Sequence, residues 1–174
     1  MSAIISSIHY CPVKSVSFQS VKSCEIRKNI GIVGDRIFAF SKGLNFDQAK
    51  IFEQDPDNRR GKWNKILTLK NSPMMNKYNF LLNGSNLTLT YKNKKILSIN
   101  SNELGECELI SSKILELENS LKESIVLMQN KKFPFFDTSI SNKTILTHSI
   151  SLINYKSIED FENKINEKIE IQRF

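Results

Sequence analysis

Short apolar segments separated by polar turns fill the first part of the chain. Residues 3–10 and 37–40 are rich in Ile and Phe. In residues 21–26, Val-Lys-Ser-Cys-Glu-Ile, positions 21, 23 and 25 are set against positions 22, 24 and 26 as the two faces of a strand. Alternation with a period of two is typical of a half-buried strand, and residues 66–70 show it again before Pro73. Residues 37–40 are apolar on both faces, so we expect them to form a central strand.

A β-hairpin is the most specific local prediction. Asn83-Gly84 lies between apolar runs at residues 78–82 and 87–91. Asn and Gly both tolerate the positive φ that a tight hairpin turn requires. A second turn at residues 92–95 leads into a further apolar run, which extends the hairpin into a meander.

The pattern changes near residue 103. Apolar residues between 109 and 121 recur at helical spacing with charged residues between them, which predicts an amphipathic helix. We expect buried strands at residues 125–128 and 150–153. A second helix is predicted to begin at Ser157, a good N-cap residue.

These elements predict an α+β, β-rich fold. We expect residues 1–102 to form a small, mostly antiparallel β-barrel or sandwich domain of about seven short strands. Residues 103–174 would follow it as a helix–strand–strand–helix segment. The polar residues 42–65 are expected to be the least ordered, and the aromatic residues 133–137 to pack as a plug rather than to hold a cofactor.

Charge and cysteine content narrow the possible partners. The 174-residue chain has a formal net charge of +7, which favours anionic ligands. Its three cysteines, Cys11, Cys24 and Cys107, are widely spaced and form no zinc-ligand cluster, as in proteins of a reducing compartment. No apolar run approaches the roughly 20 residues of a membrane span, so we expect a cytoplasmic protein without a membrane partner.

A basic barrel that binds nucleic acid is a less favoured alternative. The lysines are dispersed, and no aromatic residues are interleaved with Arg59-Arg60. We therefore expect this arginine pair to lie in a solvated loop.

The candidate chemistry lies in two early loops. Lys14-Ser15 follows the first predicted strand, and Arg36 precedes the central one. If the flanking strands pair, the loops converge on one end of a sheet. Two cations, a hydroxyl and loop amides would then suit a ligand that bears a phosphate. The alternative is that both cations are solvated turn residues.

The same loops carry a family resemblance. Residues 9–15 read His-Tyr-Cys-Pro-Val-Lys-Ser, and residues 31–38 read Gly-Ile-Val-Gly-Asp-Arg-Ile-Phe. Together they resemble the opening of MOSC proteins, the N-terminal β-barrel domain of that family. Residues 149–159 resemble the start of the MOSC domain proper. The chain is thus similar to the mitochondrial amidoxime-reducing component and to bacterial N-hydroxylated-base reductases.

This resemblance implies that the chain binds the molybdenum cofactor, molybdopterin, a pterin dithiolene with a terminal phosphate. Its function would be as part of an oxidoreductase that reduces small N-hydroxylated compounds with a redox partner protein. By position, Lys14, Ser15 and Arg36 would contact the cofactor. Thr147 and His148 match a further contact pair, with His148 departing from the usual Ser.

The resemblance also limits what is expected of the chain. In relatives, a molybdenum-ligating Cys follows at a position beyond Phe174, and none of the cysteines here occupies it. We therefore assign no catalytic or metal-ligating residue and expect a C-terminally truncated fragment that is inactive alone. A non-catalytic cofactor carrier remains an alternative. Pyridoxal phosphate is associated with the family, but no buried-lysine motif in this sequence supports it.

Overall fold

The computed structural model describes most of the chain as a mixed α+β protein. It covers residues 4–16, 18–28, 30–59, 61–136 and 152–169. The strands are β1 (Ile8–Tyr10), β2 (Gln19–Val21), β3 (Ile26–Arg27), β4 (Gly31–Ile32), β5 (Phe38–Phe40), β6 (Tyr78–Asn83), β7 (Asn86–Tyr91), β8 (Lys94–Asn100) and β9 (Leu127–Gln129). The α-helices are α1 (Phe46–Gln54), α2 (Glu106–Leu117) and α3 (Tyr155–Ile165). Short 3-10 turns span Pro56–Arg59, Trp63–Lys65 and Pro73–Lys77.

The strands form four small antiparallel sheets in the described part of the chain. In strand order the sheets are β1-β2, β3-β4, β5-β9 and β6-β7-β8. The α+β, mostly antiparallel class is therefore confirmed. In the described part of the chain no closed barrel is detected, and the barrel stays a prediction, as does the domain boundary near residue 102.

The meander β6-β7-β8 confirms the predicted hairpin and corrects its turn. Asn83 pairs with Asn86, so the central turn residues are Gly84 and Ser85 rather than Asn83 and Gly84. Within this turn only Gly84 has positive φ, at 60°, which is the arrangement of a turn with Gly first. Alternate residues of β6 are buried, and they place Tyr78 and the side chains that follow it in the core.

Two other strand predictions were wrong. The segment 21–26 is split, because β2 ends at Val21 and β3 begins at Ile26. Of residues 66–70, only Ile66 forms a bridge, to Ser41. The chain then turns, because the Asn71 side chain bonds the Thr68 amide and the Ile66 carbonyl. A local side-chain hydrogen bond of this kind competes with strand pairing.

Helix α2 confirms the first predicted helix, whereas α1 and α3 correct the predictions for their segments. Residues 42–65 are not unstructured, because α1 begins there with a reciprocal capping box between Asn45 and Gln48. The last helix begins earlier than predicted, since Asn154 rather than Ser157 is its N-cap. The strand expected at residues 150–153 lies largely outside the described residues.

Strand β5 separates two hydrophobic clusters. Phe38 and Phe40 face the larger cluster, which includes the meander and Ile110 and Ile114 of α2. Ala39 faces the smaller cluster, which includes α1 and Phe135. All of β5 is fully buried, as predicted for a central strand. The expected aromatic plug is likewise confirmed, because Phe135 is buried in the smaller cluster.

Among the described residues, no helix combines the length and the apolar character needed to cross a membrane.

Candidate functional site

The two candidate loops lie side by side. The Arg36 amide donates to the Cys11 carbonyl at 2.6 Å, and the Phe38 amide donates to the Pro12 carbonyl at 3.0 Å. The Lys14 amide in turn donates to the Phe38 carbonyl at 2.9 Å. This parallel pairing is short, and its bridge joins residues 13 and 38. The structure therefore brings together the backbones that carry Lys14-Ser15 and Arg36.

Asp35 fixes the relative position of the loops. Its carboxylate Oδ1 accepts a hydrogen bond from the Cys11 amide at 2.8 Å, and its own amide donates to the Ile32 carbonyl at 3.1 Å. The Arg36 Nε lies 3.8 Å from the same carboxylate, at the outer limit of an ion pair. The carboxylate thus acts mainly inside the fold, where it satisfies a backbone donor.

Ser15 and Arg36 share an unusual backbone conformation. Their φ values are 61° and 52°, in the left-handed region that non-glycine residues avoid. Of the other described non-glycine residues with positive φ, Lys92 and Asn93 form a two-residue hairpin turn and Asn166 ends α3. Those three positions belong to turn and cap types that favour this conformation. Ser15 is the third residue of the turn that the Val16 amide closes on the Val13 carbonyl at 3.2 Å, a position that takes positive φ in type II turns, and Arg36 directly follows the turn closed by the Asp35 amide and the Ile32 carbonyl. The left-handed region still costs a non-glycine residue about 1–2 kcal/mol.

Lys14 is not a solvated turn residue. Only 2% of its surface is exposed. Burial of an ammonium group is strongly unfavourable unless anions or several acceptors surround it. The alternative of a solvated cation is therefore wrong for Lys14.

Arg36 is held against the aromatic plug. Its guanidinium lies 5.2 Å from the centre of the Phe136 ring, and its carbonyl accepts a hydrogen bond from the Phe135 amide at 2.8 Å. A third of its side chain is exposed, so the charge remains accessible to a ligand. Stacking on an aromatic face orients a guanidinium and restricts its rotamers.

Arg59 was predicted to be solvated, and that prediction was wrong. The residue is 2% exposed, and its guanidinium donates to the carbonyls of Phe52, Glu53 and Phe133 at 2.8, 2.6 and 2.7 Å. It also stacks on Phe135, 4.0 Å from the ring centre. Burial lowers the pKa of Arg59 to about 10, although Glu53 and Asp55 favour its charged form.

One sequence signal could have identified Arg59. Pro56 follows Phe52 by four residues, so the Phe52 carbonyl at the end of α1 has no backbone amide to pair with. A nearby donor must replace that amide, and a cation at a helix C-terminus also interacts favourably with the helix dipole. Arg59 meets both needs and ties the 133–136 plug to α1.

The backbone amides of the two loops contribute less to anion binding than the sequence suggests. The amides of Lys14, Val16 and Arg36 already donate to backbone carbonyls. Any anion at this site would therefore be bound mainly by side chains. Thr147 and His148, the other predicted contacts, lie outside the described residues.

Two of the described cysteines, Cys11 and Cys107, are buried or partly buried. Cys11 is buried, and its Sγ lies 2.8 Å from the Val13 carbonyl, to which it donates. Burial raises the pKa of Cys107 to about 11. Within the described ranges, no group of three or more His, Cys, Asp or Glu side chains is placed to hold a metal ion.

Comparison of the chain with protein families, with curated proteins and with solved structures finds no match.

Proposed function

We propose that this chain binds the molybdenum cofactor through the terminal phosphate of its pterin, as part of a MOSC-type oxidoreductase that reduces N-hydroxylated compounds. The observation that supports it best is the shared left-handed conformation of Ser15 and Arg36, beside the buried Lys14. Left-handed conformations of non-glycine residues cluster at sites where ligands are bound. The strained residues are also the ones that the family resemblance selects.

The side chains fit the phosphate end of this ligand. Lys14 offers a point charge, Ser15 a hydroxyl, and Arg36 a planar fork that matches two phosphate oxygens. Phe136 restricts the rotation of the Arg36 fork, and Asp35 holds the two loops in register. With 2% of its surface exposed, Lys14 would act on a bound phosphate from beneath the surface, where little water screens its charge.

The cofactor itself would supply the redox chemistry at its metal. This chain's residues would bind and orient its phosphate. We further propose that the sheets formed within residues 1–102 belong to an N-terminal β-barrel domain of the MOSC type. Residues 149–159 would then begin the MOSC domain proper.

Native mass spectrometry with isolated molybdopterin tests the proposal. We expect one cofactor per chain, and loss of retention in Arg36→Ala and Ser15→Gly. Ser15→Gly removes the hydroxyl but relieves the left-handed strain, so its stability should rise by up to about 1 kcal/mol while binding falls. Loss of binding in a stabilised variant separates a damaged site from a damaged fold. Lys113→Ala, in α2 and paired only with Glu116 in the described structure, is the matched control.

The outcomes are distinct. Equal retention by the wild type and both variants would show that the cofactor binds elsewhere. Failure of the wild type to retain the cofactor would refute the proposal. Turnover by this chain, when an amidoxime and an electron donor are added, would refute the expectation that it is inactive alone.

A further inference from the structure

A cleft separate from Lys14 and Ser15 lies beside the β3-β4 hairpin. It has a volume of about 340 Å³, at the lower end of the range for small-molecule sites. Apolar side chains form most of its lining, among them Val33, Ile37 and Leu82. We propose that this cleft binds a small organic anion with a flat apolar body, such as an aromatic carboxylate.

The floor of the cleft is built to accept an apolar group. Ile37 and Leu82 are 6% and 8% exposed, so each presents only an edge to the opening. Tyr10 adds an aromatic face from β1. A planar ligand lying on these side chains would remove their remaining apolar surface from water.

Gly34 keeps the cleft open. Its φ is 94°, and a Cβ there would lie 3.2 Å from Tyr10 Cε2 and 3.6 Å from Leu82 Cδ2. Any other residue would be strained and would crowd the ring of Tyr10. The glycine therefore lets the backbone turn closely over the apolar floor.

Cations determine the expected charge of the ligand. Arg27 and Lys131 both line the cleft, and no Asp or Glu does so among the described residues. Glu25 engages one edge of the Arg27 guanidinium, through Nε at 2.7 Å and Nη2 at 3.3 Å. Lys131 Nζ donates to Asn102 at 2.7 Å. Because Nη1 of Arg27 has no partner in the described structure, it is available to a carboxylate at the rim.

The probe is 2-naphthoate, followed by amide chemical-shift changes in the full chain. We expect saturable shifts at Gly34 and Gly84, which both line the cleft. Arg27→Gln combined with Lys131→Gln should weaken binding about fivefold or more, as for the loss of exposed charge contacts. The control is Lys94→Gln combined with Lys95→Gln, which removes equal charge from exposed positions of β8.

Two further measurements separate the apolar and charged contributions. The neutral isostere 2-naphthalenemethanol should bind more weakly than 2-naphthoate, and Val33→Phe should block both by filling the cleft. Equal affinity for the two probes would refute the role of the cations. No shift at Gly34 or Gly84, or unchanged binding in Val33→Phe, would refute the site. Arg36→Ala should leave these shifts unaltered, so this result does not depend on the cofactor proposal.

Discussion

Replacing Arg59 by Met should destabilise the protein more than any substitution of an exposed arginine. The Phe52 carbonyl would lose the donor that stands in for the missing amide of Pro56. The Phe133 carbonyl would lose its link to the rest of the fold. The Glu53 carbonyl would keep a partner, because Asn130 Nδ2 also donates to it at 2.6 Å.

The magnitude follows from these losses. A buried carbonyl left without a donor costs about 1–3 kcal/mol, and a desolvated cation–π contact adds about 1–2 kcal/mol. Removal of a buried charge offsets part of this loss, since burial already disfavours the charged form and lowers the pKa of Arg59 to about 10. The expected decrease in the free energy of unfolding is about 2–4 kcal/mol, within the range for broken buried networks.

Urea unfolding followed by fluorescence measures this change. Trp63 is the single tryptophan and packs on the cluster that contains Phe135, so it reports the region directly. With a slope of about 2 kcal/mol/M, the midpoint should fall by about 1–2 M. Arg59→Lys should lose nearly as much, because one ammonium cannot reproduce a three-carbonyl fork.

The control is Arg27→Met, whose side chain is 58% exposed and paired with Glu25. Its stability should change by no more than about 0.5 kcal/mol. Equal stability of Arg59→Met and wild type would refute the argument that Arg59 replaces a backbone donor. A near-normal Arg59→Lys would show that charge, rather than the fork geometry, is what matters.

Other contacts give further tests. Hydrogen bonds from Lys77 and Ser120 lower the pKa of Glu118, so its stabilising effect is present above pH about 4.5 and is lost as pH falls through its lowered pKa. Glu118→Gln should therefore reduce stability at pH 7 but not at pH 2, as measured by urea midpoints. The raised pKa of Cys107 stabilises the fold below pH 9.0 and does so progressively less as pH rises to about 11. Iodoacetamide at pH 8 should alkylate Cys107 far more slowly in the folded than in the urea-unfolded chain; equal rates would contradict its burial. Gly84→Ala should cost about 1 kcal/mol from backbone strain alone, since a Cβ there meets nothing within 4 Å.

Short-range patterns predicted the elements whose causes are local. The β6-β7 hairpin follows from a glycine turn between apolar runs, and α2 from helical spacing of apolar residues. The central position of β5 follows from its uninterrupted apolar sequence. In each of these elements, the residues that determine the structure lie close together in the sequence.

Elements that depend on residues far apart in the sequence were missed or misplaced in the prediction. Helix α1 buries only Ala49 and Phe52, so its apolar stripe is too sparse to distinguish it from a loop. Its stability depends on contacts such as the bond from the Gln129 amide to Glu53, 76 residues apart in the chain. The break between β2 and β3 likewise has no turn signal within residues 22–25.

The candidate site combines features that the sequence predicts with features that it does not. Sequence reasoning selected Lys14, Ser15 and Arg36 by residue type, and the structure adds what residue type cannot reveal: burial for Lys14 and left-handed backbones for the other two. A left-handed backbone at a serine or an arginine cannot be predicted from the residue type, since both residues usually adopt right-handed or extended conformations. The surrounding bonds impose this conformation, with the Cys11 carbonyl holding the Arg36 amide at 2.6 Å. The conformation of Arg36 therefore depends on a contact between the two loops, which a local sequence pattern cannot specify.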